Sequence, residues 1–365
     1  MIARNIDRLV GIGRLKAWQD RLEKERKEHR LRYLFWETTR ACNLRCRHCG
    51  SDCTVHQPDE LTTEEIEAVF QSISADFDAR SIMVAVTGGE PLLRKDLFEV
   101  MGHAHDLGFP WGMVTNGMLV DRSVVERCHG AGMDTVTVSV DGLAGAHESI
   151  RKGGSFDRTI EALRLFKDPG YFRNVQATTC VSPYNIADLP GLYELFGRLG
   201  IDEWRMLTVT PIGRARDDGN FRLTPLQLRS LLDFIAGRRK AKGLRVTFEE
   251  EGFLGTDYEG KVRDALYYCP AGINIAGILA NGDIGACPNL PRQLIQGNVR
   301  KDRFKDVWEN RYQGMRDLEW KRRGACEKCS WWDFCRGNSL HLWDFSSGRT
   351  SMCHLQMLEE STAER

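Results

Sequence analysis

Short apolar runs of β type alternate with helical segments from residue 33 onward, and this alternation constrains the fold more than any other feature of the chain. Alternation of this kind predicts βαβ units with parallel strands. Six units, rather than the eight of a closed barrel, predict an α/β fold, a partial (β/α)6 barrel of the TIM type. The predicted strands cover residues 33–38, 82–87, 111–115, 135–140, 174–181 and 204–209. The predicted helices between them lie near residues 63–75, 96–107, 121–131, 156–167 and 188–199.

The pattern divides the 365 residues into three regions. Residues 1–32 are predicted to be an amphipathic helical extension, because apolar residues recur there at helical spacing. We expect this helix to pack across the barrel rather than to bind a partner or a membrane surface. Residues 33–248 are predicted to form the barrel, with a further helix at 224–241 and one more strand at 244–248. Residues 249–365 are predicted to form a small, cysteine-rich domain.

The composition excludes several classes of protein. The formal net charge is zero, so no basic field favours nucleic acid as a partner. No run reaches the ~18 apolar residues of a membrane span, and the first residues lack the apolar core of a secretory signal. We therefore expect a cytoplasmic protein without a transmembrane segment. Twelve cysteines in such a chain predict metal binding rather than disulfide bonds. Ten lie in two groups, whereas Cys128 and Cys180 stand apart and are expected to be core residues.

The first group of cysteines follows the first predicted strand. Cys42, Cys46 and Cys49 have the spacing C-x3-C-x2-C. Three thiolates can hold three irons of a cubane cluster and leave the fourth iron open for chemistry. Zinc is an alternative, although a structural zinc site needs four ligands and usually takes them from paired C-x2-C units. A purely structural use of the three cysteines is the remaining alternative.

Polar and glycine-containing segments follow the other predicted strands, at the end where barrels of this type place their sites. Taken alone, a Gly-Gly pair or an Asn-Gly pair indicates only a turn. The segments are TGGEP at 87–91, TNG at 115–117, SVDG at 139–142, HESIRKGGSF at 147–156, VSPYN at 181–185 and PIGRA at 211–215.

Together with the cysteine spacing, these segments resemble the radical S-adenosylmethionine (radical SAM) superfamily. The resemblance implies a [4Fe-4S] cluster on Cys42, Cys46 and Cys49, whose open iron is chelated by the amino and carboxylate groups of SAM. One-electron reduction of SAM then yields methionine and a 5′-deoxyadenosyl radical, which abstracts hydrogen from a substrate. The residues implied to contact SAM are Gly88, Gly89 and Glu90 near its amino group, Ser139 at its ribose, Arg151 at its carboxylate, and Thr115, Asn116, Asp141 and Asn185. For Asn185 an ordinary turn is an equal alternative.

The second group comprises six cysteines within the C-terminal region. Zinc binding or scattered core positions are the alternatives for them. Their order resembles the SPASM domain, an extension that carries auxiliary iron–sulfur clusters. The resemblance implies that an outer auxiliary cluster is held by Cys326, Cys329, Cys335 and Cys353.

An inner auxiliary cluster would use the positions of Cys269, Cys287 and Ser339, of which only two are cysteines. We therefore expect this inner cluster to be absent or to have a non-cysteine ligand, because a cubane takes about four protein ligands, or three with one open iron. Ser339, His341 and Cys53 are candidate substitutes. We do not expect Cys53 to bind the SAM cluster, because a fourth thiolate would block the iron that SAM needs.

These features predict a radical SAM/SPASM enzyme that modifies a peptide or protein and draws electrons from a donor such as flavodoxin or ferredoxin. The alternative is an enzyme of small molecules, such as a haem-pathway decarboxylase or an alcohol dehydrogenase of antibiotic biosynthesis. A non-enzymatic iron–sulfur carrier is a third class, which the SAM-contact segments disfavour. The sequence assigns no catalytic acid or base, although Glu90 and Asp344 are conceivable.

Overall fold

The computed structural model of the protein describes residues 2–216, 218–249 and 252–363. An N-terminal helix precedes a run of alternating strands and helices. In chain order, the elements as far as the seventh strand are α1 Ile2–Glu28, β1 Tyr33–Glu37, α2 Thr63–Asp76, β2 Met83–Thr87, α3 Leu97–Asp106, β3 Trp111–Thr115, α4 Arg122–Gly130, β4 Met133–Ser139, α5 Ala144–Ile150, α6 Phe156–Lys167, β5 Asn174–Val181, α7 Leu189–Leu199, β6 Glu203–Thr208, α8 Pro225–Arg238 and β7 Arg245–Phe248.

The C-terminal region is built from shorter elements. They are α9 Gly255–Tyr258, β8 Ile275–Ile278, β9 Asp283–Gly285, β10 Gly297–Asn298, α10 Phe304–Asn310, α11 Gln313–Arg316, α12 Trp332–Cys335, β11 Trp343–Asp344, β12 Arg349–Thr350 and α13 His354–Ala363. No helix among the described residues is long and apolar enough to span a membrane.

The predicted partial barrel is confirmed. Strands β1 to β7 lie side by side in chain order, and each pairs in parallel with the next. All six predicted strands and the additional strand near 244–248 are present, as are the predicted helices between them. The short helix α5 was not predicted, because three of its seven residues are glycine or alanine and the segment shows no strong apolar period.

The C-terminal region extends the same sheet. Strand β8 pairs in parallel with β1, with Tyr33 opposite Ile275, and β9 and β10 follow as antiparallel strands. The sheet therefore has ten strands and runs from β10 at one edge to β7 at the other. A domain boundary at residue 249 stays a prediction, and the strand pairing shows that the two regions share one sheet.

Local sequence signals explain where the helices begin. Thr62 and Glu65 form a capping box at the start of α2, and Thr224 and Gln227 do the same at α8, where Pro225 occupies the first turn. The helices cover the outer face of the sheet and bury large aromatic side chains against it, among them Trp36, Trp111 and Trp204.

Helix α1 is present as predicted, and the side chains described in its second half pack on the C-terminal region rather than across the barrel. Its buried Leu15 packs with Phe253 and Tyr267, and Gln19 donates to the backbone oxygen of Asp333 over 3.1 Å. All three partners belong to the C-terminal region, whose aromatic residues offer α1 an apolar surface. The side chains of the earlier apolar positions, Ile2, Ile6 and Leu9, lie outside what the structure describes.

Candidate active site

The three cysteines of the first group lie in the loop that follows β1, at the carboxyl end of the sheet. The backbone N–H of Cys42 donates to Thr54 O over 3.3 Å, and that of Leu44 donates to Cys42 Sγ over 3.4 Å. Burial raises the pKa of the Cys42 thiol to about 11 and also raises that of Cys46. Thiolates in this loop therefore require a strong positive partner, which iron would provide.

The Gly-Gly segment after β2 forms a cradle for this loop. Gly88 has a φ of +139°, and a Cβ added to it would lie 2.6 Å from Thr39 O. A Cβ added to Gly89 would lie 2.1 Å from Ala41 O, immediately before Cys42. The backbone N–H groups of Gly89 and Glu90 donate to the oxygens of Thr39 and Ala41. Glycine is required here because the two backbones touch.

Glu90 joins the ends of β2 and β3. Its side chain is fully buried and accepts hydrogen bonds from Thr115 Oγ1 and from the Asn116 backbone N–H, both at 2.8 Å. Burial raises the pKa of Glu90, and these hydrogen bonds oppose that rise. The Asn116 side chain in turn donates to Asn43 Oδ1 over 2.7 Å, which links β3 to the cysteine loop.

Asp141 is the centre of a buried ionic network after β4. Its Oδ2 accepts from Arg151 Nε at 2.7 Å and lies 2.9 Å from His48 Nε2. Arg151 Nη1 also lies 3.8 Å from Cys46 Sγ. Burial alone would raise the pKa of Asp141, but Arg151 and His48, with a hydrogen bond from the backbone N–H of Cys180, hold it below its usual range. The network thus places a cation beside a cluster cysteine.

The other predicted SAM contacts lie at the same end of the sheet. Ser139 is the last residue of β4 and is buried. The amide of Asn185 bridges neighbouring strand ends: its Nδ2 donates to Asp141 O and Cys180 O, and its Oδ1 accepts from the Ser182 N–H. The structure therefore brings every predicted SAM-contact residue to one edge, and Asn185 also has the turn-forming role that the sequence left open.

Two histidines of this network were not predicted. His48 lies between two of the cysteines, and its ring stacks on Phe221 at 6.0 Å. His147 Nδ1 accepts from the Asp141 N–H over 3.1 Å, and burial lowers the pKa of His147 to about 4, so the ring is neutral. The sequence did indicate both indirectly, since His48 lies inside the cysteine motif and His147 begins the HESIR segment.

Arg214 was also missed as part of the cysteine loop's support. Its Nε donates to Cys46 O over 2.7 Å and its Nη1 to Asp52 Oδ1 over 2.6 Å. The preceding Gly213 has a φ of +54°, and a Cβ there would lie 2.3 Å from Cys49 O. The PIGRA segment therefore holds the cysteine loop in place.

The metal alternatives can be compared by the spacing of the ligands. Among residues 2–216, 218–249 and 252–363, one group of three possible ligand atoms lies within 4.8 Å of one another: His48, Asp141 and Cys180. A single zinc ion gathers its ligands this closely, because its bonds are only about 2.0–2.3 Å long. Asp141 already has Arg151 as its cation. The thiols of the cysteine loop have a wider arrangement, which suits several irons better than one ion.

The four thiols of the predicted outer set meet at one cavity. Cys326, Cys329, Cys335 and Cys353 all line a space of about 950 Å³ in the C-terminal region. Burial raises the pKa of Cys335 to about 12, and the backbone N–H of Asn338 donates to its sulfur over 3.3 Å. Four thiolates around one cavity are the ligand set of a cubane cluster.

The remaining C-terminal candidates are placed differently. Cys269 and Cys287 pack against the barrel core, and neither lines the cavity of the outer set. Ser339 is buried, and Lys321 is buried near Cys269. Burial lowers the pKa of Lys321 to about 8, while the thiols of Cys269, Cys335 and Cys326 act to raise it. The region of the expected inner cluster therefore contains two thiols that could bind iron and one lysine, which could not.

A second cavity, of about 510 Å³, lies between the end of β6 and the C-terminal region. Its lining includes Val209, Ile212, Asp218, Phe221, His341, Trp343 and Asp344. Asp218 pairs with Arg47 of the cysteine loop at 3.0 Å, so the cavity adjoins that loop. Asp344 is held as a carboxylate, because hydrogen bonds from Ser346 and Ser347 lower its pKa, which makes it a poor proton donor.

Comparison with known proteins agrees with this geometry. The sequence model of the Radical SAM superfamily matches residues 36–196, and that of the SPASM iron-sulfur cluster-binding domain matches residues 269–330. The mycofactocin maturase MftC of Mycobacterium tuberculosis is 31% identical over 314 residues, which are 84% of this chain and 78% of that protein. The AdoMet-dependent heme synthase of Methanosarcina barkeri is 28% identical over 84% of this chain and 90% of its own length.

A solved structure has the same fold. Streptococcus suis SuiB bound to S-adenosylmethionine superposes with a TM-score of 0.68 at 18% identity, covering 86% of this chain and 74% of SuiB. The fold and the family matches define an iron–sulfur enzyme that uses SAM. The chain belongs to the radical SAM superfamily and carries a SPASM domain.

The cofactors follow from the family: a [4Fe-4S] cluster that binds SAM, SAM itself, and at least one auxiliary [4Fe-4S] cluster. The residues present fit these groups, since the cysteine loop is cradled by glycine backbone and the outer thiols share a cavity. When bound, the reduced SAM cluster supplies an electron that cleaves SAM to methionine and the 5′-deoxyadenosyl radical. The chain's own residues position the loop and balance its charge.

Proposed function

We propose that this enzyme modifies a peptide or protein by abstracting hydrogen from one of its residues. The observation that carries the proposal is the cavity of about 510 Å³ beside the cysteine loop. Its floor is apolar and aromatic, with Val209 and Trp343 buried, and its rim reaches the exposed residues Arg216 and Ser346. Because the cavity opens at an exposed rim, a side chain can enter it while the rest of a peptide stays at the surface.

The relatives named as maturases support a peptide substrate, because MftC proteins reach 30–31% identity over 84% of this chain. A small-molecule substrate is the second candidate. It is favoured by relatives named AdoMet-dependent heme synthase and Fe-coproporphyrin III synthase, at 25–28% identity. The cavity volume also lies within the range of small-molecule sites, about 300–1,000 Å³.

The roles of the site residues are part of the proposal. The SAM cluster is assigned to Cys42, Cys46 and Cys49, and the auxiliary cluster to the four outer thiols. SAM is assigned to the predicted contacts at the carboxyl ends of β2 to β5, with Arg151 held in place by Asp141. Electrons come from a donor of the flavodoxin or ferredoxin type, in the reducing cytoplasm.

The inner auxiliary cluster is proposed to be absent, because Cys269 and Cys287 are the only thiols at its expected positions. Two cubanes supply about eight irons per chain. Iron analysis of the anaerobically reconstituted protein tests this, and about twelve irons would refute it.

The substrate class is tested by measuring 5′-deoxyadenosine with two kinds of substrate. One arm receives short peptides encoded beside the gene, and the other receives Fe-coproporphyrin III. We expect a peptide to raise deoxyadenosine formation and to change in mass, with deuterium passing from labelled peptide to deoxyadenosine. Turnover of the porphyrin alone would overturn the proposal. Ser346→Trp is a useful companion variant, since filling the rim should suppress the peptide-dependent part only.

A further inference from the structure

Lys321 is a lysine with no exposed surface, located near the C-terminal thiols. Its Nζ donates to the backbone oxygen of Asn338 over 2.7 Å and lies 5.5 Å from the centre of the Trp343 ring. Lysine is almost never fully buried unless it has a partner of opposite charge. One carbonyl and one aromatic face compensate only part of the cost of burying an ammonium group.

The ionisable groups near this ammonium are thiols rather than carboxylates, and they become thiolates when they bind iron. They are those of Cys269, Cys335 and Cys326. Two of the three belong to the outer set that lines the cavity of about 950 Å³. A cubane held by four thiolates carries a net negative charge, so a cluster in that cavity would be the missing partner of Lys321.

The turn after Cys335 brings the lysine close to the cluster position. Arg336, Gly337 and Asn338 all have left-handed backbone, with φ values of 51°, 76° and 61°. This turn directs the Asn338 N–H to Cys335 Sγ and the Asn338 carbonyl to Lys321. A Cβ added to Gly337 would lie 3.0 Å from Lys321 Cε, so the lysine stem packs directly against the turn.

We propose that Lys321 is the counter-charge of the auxiliary cluster held by Cys326, Cys329, Cys335 and Cys353, and that it raises the reduction potential of that cluster. One-electron reduction adds a negative charge to an already negative group. A cation fixed nearby therefore stabilises the reduced form more than the oxidised form. The effect is strong because the site is buried and poorly screened. The inference does not depend on which substrate the enzyme takes.

The experiment uses the full chain with Cys42, Cys46 and Cys49 replaced by alanine, so that about four irons per chain report the auxiliary cluster alone. The midpoint potential is measured by anaerobic redox titration followed by EPR, together with iron content. Lys321→Met removes the charge and keeps the length of the side chain. Lys328→Met is the matched control, because Lys328 stands between two cluster cysteines in sequence but is exposed.

We expect Lys321→Met to keep its iron and to shift the midpoint potential to a more negative value, with a much smaller shift for Lys328→Met. An unchanged potential with full iron, or an equal shift in both variants, would overturn the proposal.

If Lys321→Met loses its iron, the free energies of unfolding of the iron-free variant and its iron-free parent, measured with denaturant, distinguish the two explanations. A variant at least as stable as its parent in the iron-free state supports the proposal, since the lysine is then needed only by the cluster. A variant that is less stable without iron overturns it, since Lys321 would then be a packing residue.

Discussion

Arg151 donates from Nε to Asp141 Oδ2 over 2.7 Å, and this ion pair is buried at the carboxyl end of β4. The pair joins the SVDG segment to the HESIR segment. His48, in the cysteine loop, contacts the same carboxylate through its Nε2 and so links the loop to both segments. The arginine that the family resemblance assigns to the SAM carboxylate is therefore held rigid before any ligand arrives. Its Nη1 lies 3.8 Å from Cys46 Sγ.

Asp141→Asn should strongly destabilise the protein. The substitution leaves Arg151 buried without its carboxylate, and breaking one side of a buried pair costs about 3–5 kcal/mol. Denaturant unfolding of the iron-free protein measures the loss. Asp134→Asn is the control, because its partner Arg173 is 70% exposed and such pairs contribute about 0–1 kcal/mol. Equal effects of the two substitutions would show that Arg151 does not depend on Asp141.

Gly89→Ala should prevent assembly of the SAM cluster. The new Cβ would lie 2.1 Å from Ala41 O, so the backbone just before Cys42 would have to move. Reconstituted protein is expected to lack about four irons and to retain those of the auxiliary cluster. Gly102→Ala in α3, where a Cβ meets nothing within 4 Å, should keep its full iron content. A full iron content in Gly89→Ala would contradict the claim that the cysteine loop needs the close contact with glycine at this position.

Arg214→Gln should weaken the hold of the loop on its cluster without unfolding the barrel. The variant loses a charged hydrogen bond to Cys46 O, of about 1.5–3 kcal/mol, and an ion pair with the exposed Asp52, of about 0–1 kcal/mol. Release of iron to a chelator should become about tenfold faster or more. Arg173→Gln, at the amino end of β5, should release iron at the parental rate. If Arg214→Gln also released iron at the parental rate, Arg214 would not be a support of the cysteine loop.

The fold was predictable because it depends on short-range patterns. Apolar runs, caps such as Thr62 and the spacing of strands and helices are visible in a window of a few residues. The ends of parallel strands meet at one edge, which also predicted that Glu90, Asp141 and Asn185 lie close together. The pairing of β8 with β1 could not be predicted, because it joins residues more than 230 positions apart.

The roles of His48, Arg214 and Lys321 were hidden for a similar reason. His48 and Arg214 act on partners that are distant in sequence, Asp141 and Cys46, and Lys321 lies near Cys269, more than 50 residues before it, as well as near thiols that follow it. In the sequence, Lys321 begins a run of basic residues and resembles an exposed charge. Burial decides its role, and burial is a property of the packed chain. The same holds for α1, whose periodicity predicted a helix but not the surface that it covers.

The buried His147 should make stability depend on pH in a specific way. Its pKa is lowered from 6.5 to about 4 in the folded protein, so only the unfolded chain binds a proton between these values. Its contribution is complete above pH 6.5, and about 3 kcal/mol is lost as the pH falls to about 4.

His147→Asn keeps an acceptor for the Asp141 N–H but cannot titrate. Unfolding of the iron-free proteins by denaturant, repeated between pH 7.5 and 4, should show a shallower decline for His147→Asn than for its parent. The exposed His129 provides the control, and His129→Asn should follow the parent. Parallel curves for all three would show that His147 does not titrate as its burial requires.

The central claim is that the loop of Cys42, Cys46 and Cys49 holds a cluster that cleaves SAM. The most direct measurement is 5′-deoxyadenosine, by mass spectrometry, after anaerobic reconstitution with iron and sulfide and addition of dithionite and SAM. The parent and the variant with all three cysteines replaced by alanine are compared, with and without the candidate peptides. We predict deoxyadenosine from the parent alone. A parent that contains its full iron and forms no deoxyadenosine under any of these conditions would contradict the account.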